Sequence, residues 1–154
     1  MIQIRKANLK DIPFITTIFR DTIMHVNAKD YSEKQIRVWA SGALDIDKWE
    51  DRIENSYFIV AELNDSIVGF AYLSNGNYFD GLFIHKDHLR KGFGIKLMRI
   101  IESQALAKGH EVIKADVSIT ALPFFEDQYY IVEKKQKKNY KGLAFEIFKV
   151  YKEL

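Results

Sequence analysis

The sequence predicts an α+β fold, with one mixed, mostly antiparallel sheet and helices on both of its faces. Three observations lead there. A single N-terminal strand is followed by segments of helical periodicity. Strand-like runs then alternate with the turn signals Asn64-Asp65-Ser66 and Asn75-Gly76. Last, a strand–helix–strand crossover joins Tyr78–Ile84 to Glu111–Val117, which makes those two strands parallel neighbours.

Taken in order, Ile2–Arg5 alternates apolar and polar residues and reads as a strand. Asn8 or Asp11 offers a helix cap, and Pro13 suits a first helical turn. Ile12, Ile15, Ile18, Phe19, Ile23 and Val26 then fall close to one helical face. Ser32 and Gln35 form a capping box for a second helix, striped by Ile36 and Trp39. Asp45 or Asp47 caps a short third helix ending near Ile53. Tyr57–Leu63, Ile67–Leu73 and Tyr78–Ile84 form an antiparallel meander. Gly92–Lys108 reads as a helix stopped by Gly109. Glu111–Val117 is a strand and Ile119–Asp127 a short helix. Tyr130–Val132 and Leu143–Val150 make a terminal hairpin, with Lys134–Lys138 expected at its solvated tip or guarding a strand edge. No repeat or linker interrupts residues 1–154, which suit one domain.

Composition narrows the function classes. Hydrophobic residues make up 47% and charged residues 29%, enough for a packed core. The net charge of +2 gives no bulk electrostatic case for nucleic acid. The absence of cysteine removes disulfides, thiolate metal sites and a cysteine nucleophile. His25, His85, His88 and His110 lack paired ligand spacing, so no metal is expected. No apolar run is long enough for a membrane, and the start does not look like a signal peptide; a cytoplasmic protein is expected.

The segment His88-Leu89-Arg90-Lys91-Gly92-Phe93-Gly94-Ile95 stands between a strand and a helix. Glycines let backbone N–H groups approach a ligand, and a helix start adds free N–H groups and a positive dipole end. With Arg90 and Lys91 the segment can cradle a pyrophosphate; otherwise it is a glycine-containing turn before a helix. Phe93 after Gly92 excludes a Walker-A loop, and the element order excludes a dinucleotide-binding fingerprint.

These residues resemble the GNAT superfamily of acyltransferases. Its central motif, Gln/Arg-x-x-Gly-x-Gly/Ala after a strand ending Leu-aromatic-Val, is similar to Leu82-Phe83-Ile84 and Gly92-Phe93-Gly94, with Leu89 at the first position. A second signature, Ala-x-x-Phe-Tyr-Glu-x-x-Gly-Phe, resembles Ala121–Tyr130. Element order agrees along essentially the whole chain. The resemblance implies acetyl-coenzyme A as co-substrate and an amine of a small molecule, peptide or protein as acceptor, with no nucleic acid or membrane partner and with a homodimer as one arrangement. It implies that the backbone of Leu82, Phe83 and Ile84 pairs with the pantetheine arm, that Ile84 supplies an N–H toward the thioester carbonyl, and that Leu89–Ile95 hold the pyrophosphate.

The resemblance also assigns a general acid to the position of Phe125, which has no proton to give; Tyr129 and Tyr130 are the nearby substitutes. Ser118 is placed to hydrogen-bond the cofactor arm. Asp80 stands where relatives carry a strand carboxylate that serves as base, or else it is a solvent-facing strand residue; His85 is the weaker alternative. Tyr31, Trp39 and Trp49 either line an acceptor pocket or are core aromatics, while Asp30 and Glu33 could attract an amine or be surface charges. The expected activity is N-acetyl transfer to a primary amine; a catalytically silent acyl-coenzyme A-binding module or sensor is the alternative that Phe125 raises.

Overall fold

A computed structural model describes all 154 residues. The strands are β1 (Ile2–Lys6), β2 (Tyr57–Leu63), β3 (Ser66–Ser74), β4 (Tyr78–Ile84), β5 (Val112–Ser118), β6 (Ile131–Tyr140) and β7 (Leu143–Glu153). The helices are α1 (Ile12–His25), α2 (Glu33–Ala40), α3 (Ile46–Asn55), α4 (Phe93–Ala107) and α5 (Leu122–Asp127). They build one seven-stranded sheet of order β1-β2-β3-β4-β5-β7-β6. All pairings are antiparallel except β4 with β5. This is the mixed, mostly antiparallel sheet expected from the turn signals and the crossover.

Alternating strand residues feed two cores. Val60, Phe70 and Tyr72 face α1–α3, where Ile15, Ile23 and the fully buried Trp49 pack. Ile59, Ala71, Ile113 and Val117 face α4 and α5, against Leu97, Met98, Ile101 and Phe125. Helices therefore cover both faces. Trp49 belongs to the first core: Phe19, Phe70 and Tyr72 surround its ring, and Nε1 donates to the Gly42 carbonyl at 3.0 Å.

Local chemistry sets the boundaries. Asn8 and Asp11 form a reciprocal capping box on a 3₁₀ turn that leads into α1. The Ser32–Gln35 box caps α2, and the Asp45 carboxylate accepts from the Lys48 N–H to cap α3. Asn64 and Asp65 both take positive φ, 52° and 65°, as a two-residue hairpin of mirror-image type requires.

Two expectations are corrected. The basic run Lys134–Lys138 is not a hairpin tip: β6 extends to Tyr140, and Lys141-Gly142 makes the turn. Those lysines ride the outermost strand of the sheet, where their charge blunts an open edge. The short helix starts at Leu122, three residues later than its apolar pattern suggests, because the Ser118 hydroxyl accepts from the Ala121 N–H and holds the intervening residues in a turn.

Candidate active site

The strands β4 and β5 meet and then part. Their register contains one pair, Tyr78 with Lys114, supported by the Lys114 N–H donating to the Asn77 carbonyl at 2.9 Å. Beyond it β4 stays with β3, and β5 pairs with β7 along its whole length. The facing edges of Phe79–Ile84 and Ala115–Ser118 therefore have no strand partner and leave a slot between them. Exposed sheet-edge N–H and C=O groups of this kind are ready to pair with an extended ligand.

Asp80 sits at a bulge in the β4 wall. Phe79 opposes Leu73 and Gly81 opposes Tyr72, so Asp80 is the extra residue. The bulge resets the alternation: Phe79, Leu82 and Ile84 all pack toward α4, whereas Phe83 packs on Phe19 and Phe70. The side chains of Leu82, Phe83 and Ile84 are thus taken up by the cores, and only their backbone edge faces the slot. Asp80 is exposed, its Oδ2 is 3.2 Å from the Ser74 hydroxyl, and no Lys or Arg lies within ion-pair distance.

Sequence reading missed three residues around the bulge. The Tyr72 ring lies over Gly81. Burial, with the charge of Asp80 adding, pushes its phenol up to about 12, partly offset by Arg52. Tyr78 stands at the fork; burial first, then the carboxylates of Asp116 and Asp80, push its phenol up. Asp116 shares the β5 face of Lys114 and Ser118, opposite buried Ile113, Ala115 and Val117. That alternation was the available signal.

The loop after β4 leaves backbone N–H groups available to an anion. A 3₁₀ turn at Lys86–His88 is followed by Arg90 at φ 61° and Gly92 at φ 82°. A Cβ on Gly92 would meet nothing within 4 Å, so the left-handed backbone, not crowding, selects glycine there. No side chain caps α4, unlike the starts at Ser32 and Asp45. The first-turn N–H groups of Phe93, Gly94 and Ile95 are thus left for an anion, with Arg90 and Lys91 exposed beside them. The ring of Phe93 points back into the core, and Leu89 and Ile95 are partly exposed. Burial lowers the His88 pKa, with Lys91 and His85 adding to the shift and Asp87 opposing it.

Across the slot, the Ser118 oxygen accepts from the Ala121 N–H at 3.1 Å and from Asn27 Nδ2 at 3.4 Å. Both acceptor positions are used and the hydroxyl proton is free to donate. The α5 helix offers no hydroxyl to the slot. Phe125 is buried among Phe79, Phe124 and Tyr130, while Phe124 stands by Gly94, where an added Cβ would lie 3.4 Å from Cζ. The two neighbouring tyrosines are placed differently. Tyr129 points outward, 76% exposed, at the positive φ of 73° that the glycine of the signature would adopt. The Tyr130 hydroxyl is buried and donates to Glu102 Oε2 at 2.8 Å, in a network with Arg99 and Lys152.

The pocket aromatics divide. Tyr31 and Trp39 cluster with Phe145 at ring separations of 5.3 to 6.2 Å, on the α1–α2 side of the slot, whereas Trp49 is core. The Tyr31 hydroxyl donates to the Glu146 carbonyl and accepts from the Ile119 N–H, so it is engaged within the protein. Asp30 accepts from Thr120, and Glu33 is a surface charge near Arg37. No helix is long and apolar enough to cross a membrane, and no group of three His, Asp or Glu residues is arranged for a metal.

Comparison with known proteins converges on one family. The sequence model of the acetyltransferase (GNAT) domain matches residues 27–150. An uncharacterized N-acetyltransferase, YafP, of Escherichia coli strain K12 is 31% identical over 147 residues, covering 96% of this chain and 93% of that protein. A GCN5-related N-acetyltransferase crystal structure from Rhodopseudomonas palustris superposes with TM-score 0.96 at 29% identity, over 99% and 95% of the two chains. The PaiA N-acetyltransferase of Thermoplasma acidophilum, solved with coenzyme A, shares the fold with TM-score 0.78 at 19% identity, over 100% and 99%.

Proposed function

The chain belongs to the GNAT acetyltransferase family, and on that premise we propose that it moves an acetyl group from acetyl-coenzyme A to a primary amine. The observation that carries this reading is the fork: one residue pair joins β4 to β5, and an uncapped helix start lies at the end of the open slot. An extended amide-bearing arm suits the free edge of Leu82–Ile84, and a pyrophosphate suits Arg90–Ile95. That the relative from Thermoplasma acidophilum was solved with coenzyme A supports the choice of ligand.

In this reading the thioester carbonyl lies beside the β4 backbone, whose N–H groups stabilise the oxygen as negative charge develops. The amine must be neutral to attack. Asp80, exposed at the bulge and without a cationic partner, takes its proton directly or through water. The C–N bond forms, the C–S bond breaks, and coenzyme A leaves as a thiolate. Tyr78 stands at the fork and Tyr72 lies over Gly81 beside the bulge, with burial pushing both phenols up, whereas Tyr129 is exposed and the Tyr130 hydroxyl is held by Glu102.

A second reading, a catalytically silent acyl-coenzyme A-binding module, is favoured by one observation: α5 presents Phe124 and Phe125 and no proton donor. Calorimetric titration with acetyl-coenzyme A, followed by an amine panel with free-thiol detection, separates the two. Binding with turnover supports the transferase, binding without turnover on any amine supports the silent module, and no binding removes both.

A further inference from the structure

One segment of the chain touches both walls of the slot. At the end of α1, Thr22 Oγ1 donates to the Ile84 carbonyl at 3.1 Å, on the β4 wall. A few residues on, Asn27 Nδ2 reaches Ser118 at 3.4 Å, Asp30 accepts from Thr120 at 2.7 Å, and Tyr31 accepts from the Ile119 N–H at 3.0 Å, all at the exit of β5. Tyr31 also donates to the Glu146 carbonyl of β7 at 2.7 Å, so its one hydroxyl ties β5 to β7 from the helical side.

Burial makes these contacts costly to lose. The buried polar or charged residues of the chain are Asp11, Thr22, Asn27 and Glu102. Two of the four lie in this short segment, and each reaches a slot wall. A buried polar group is retained at such a place only when its partner is fixed. Backbone pairing holds β4 and β5 together at Tyr78–Lys114 alone. At the open end, about six residues or ~20 Å along the strand, no pairing sets their separation. On the α4 face both walls share one apolar core; on the opposite face the segment from Thr22 to Tyr31 spans them by hydrogen bonds.

We propose that Thr22–Tyr31 is a spacer bar that sets the width of the slot, with Tyr31 as its positioning residue, and so governs which acyl groups the slot accepts. The inference rests on reading the slot as the thioester site. Tyr31 acts through Ile119 and the β7 backbone rather than by touching the acyl group. A slot held narrow favours acetyl over longer acyl chains; releasing the bar lets the walls part and relaxes that preference.

The test compares acetyl- and butanoyl-coenzyme A, by calorimetric affinity and by kcat/KM wherever turnover is seen. Tyr31→Phe removes both hydrogen bonds and keeps the ring packed on Trp39 and Phe145. Thr22→Val removes the tie to Ile84 at nearly constant volume, and carries the test should Tyr31→Phe fail to fold. Ile12→Val, a core change at the other end of α1, controls for lost stability. The butanoyl-to-acetyl ratio should rise about fivefold or more in the first two variants, on the scale by which apolar pockets discriminate a methylene, and stay at the wild-type value in the control. An unchanged ratio with acetyl-coenzyme A binding intact overturns the bar and leaves the transferase reading standing. If the wild-type chain binds no acyl-coenzyme A, both fall together.

Discussion

The ring of Tyr72 lies across Gly81, so close that a Cβ on that glycine would come within 2.1 Å of Cε1. These two residues oppose each other beside the Asp80 bulge. Gly81→Ala must therefore displace the tyrosine or the strand. A loss of about 1–3 kcal/mol is expected, as for other overpacked sites, read as a lower urea midpoint. Activity should fall further than stability explains, because the displaced wall carries Asp80.

At Gly92 the backbone conformation and the charge make separable demands. Asn tolerates a positive φ, so Gly92→Asn should keep most coenzyme A affinity. Gly92→Asp places a carboxylate where the α4 N–H groups await an anion, and calorimetry should show binding about tenfold weaker or worse, equivalent to about 1.4 kcal/mol. Equal affinities in the two variants would mean that the pyrophosphate lies elsewhere.

Asp80→Asn keeps the bulge and removes the base. If Asp80 takes the amine proton, kcat/KM should drop about a hundredfold, within the usual range for such groups. Acetyl-coenzyme A affinity should hold. A variant that retains the wild-type kcat/KM would assign the base to another group.

Tyr130 is read as a structural residue. Its phenol donates to Glu102, which also receives Arg99 and Lys152. Tyr130→Phe leaves that buried carboxylate one donor short, at a cost of about 1–2 kcal/mol. In a chain of this size the Tm should fall about 2–8 °C, with kcat little changed. A large loss of kcat at an unaltered Tm would make Tyr130 the acid after all.

Acid should weaken the start of the fold. Hydrogen bonding from Arg5, above all, holds the Asp11 carboxyl below its ordinary value of 3.8. A depressed carboxylate pKa stabilises the native state fully above that ordinary value, and the benefit disappears as pH falls through the lower native one. Wild type should therefore exceed Asp11→Asn in denaturant midpoint at pH 7, and the gap should narrow below about pH 3.8. A gap independent of pH would mean that the Arg5–Asp11 pair contributes nothing through its charge.

Much of this was legible in the sequence because the signals are local. Capping boxes, two-residue turns and the Gly92-Phe93-Gly94 spacing report on their own neighbourhoods, and β4 was predicted with the bounds it has. The bulge had one local sign, Gly81 inside the strand pattern of Tyr78–Ile84, but the cross-strand register is what identifies Asp80 as the extra residue. Thr22 offered a weak sign, a hydroxyl set in the apolar stripe of α1, but its partner is 62 residues away. Tyr130 and Phe125 looked like site residues by their place in a motif, and three-dimensional packing assigns them to the core. Lys134–Lys138 suggested a tip by composition; pairing with β7 drew it into a strand.

The fork also falls at a particular place in the chain. One wall and everything behind it come from residues 2–84, and the other wall, with its supporting strands, comes from residues 112–153. The slot is thus a seam between an N-terminal and a C-terminal half, joined by α4 and fastened by the Thr22–Tyr31 crossing. Neither half owns the site, and it forms when the two dock. A ligand lying in the seam would act as a bolt through both, so its binding would register as stability of the whole chain rather than as the ordering of one loop.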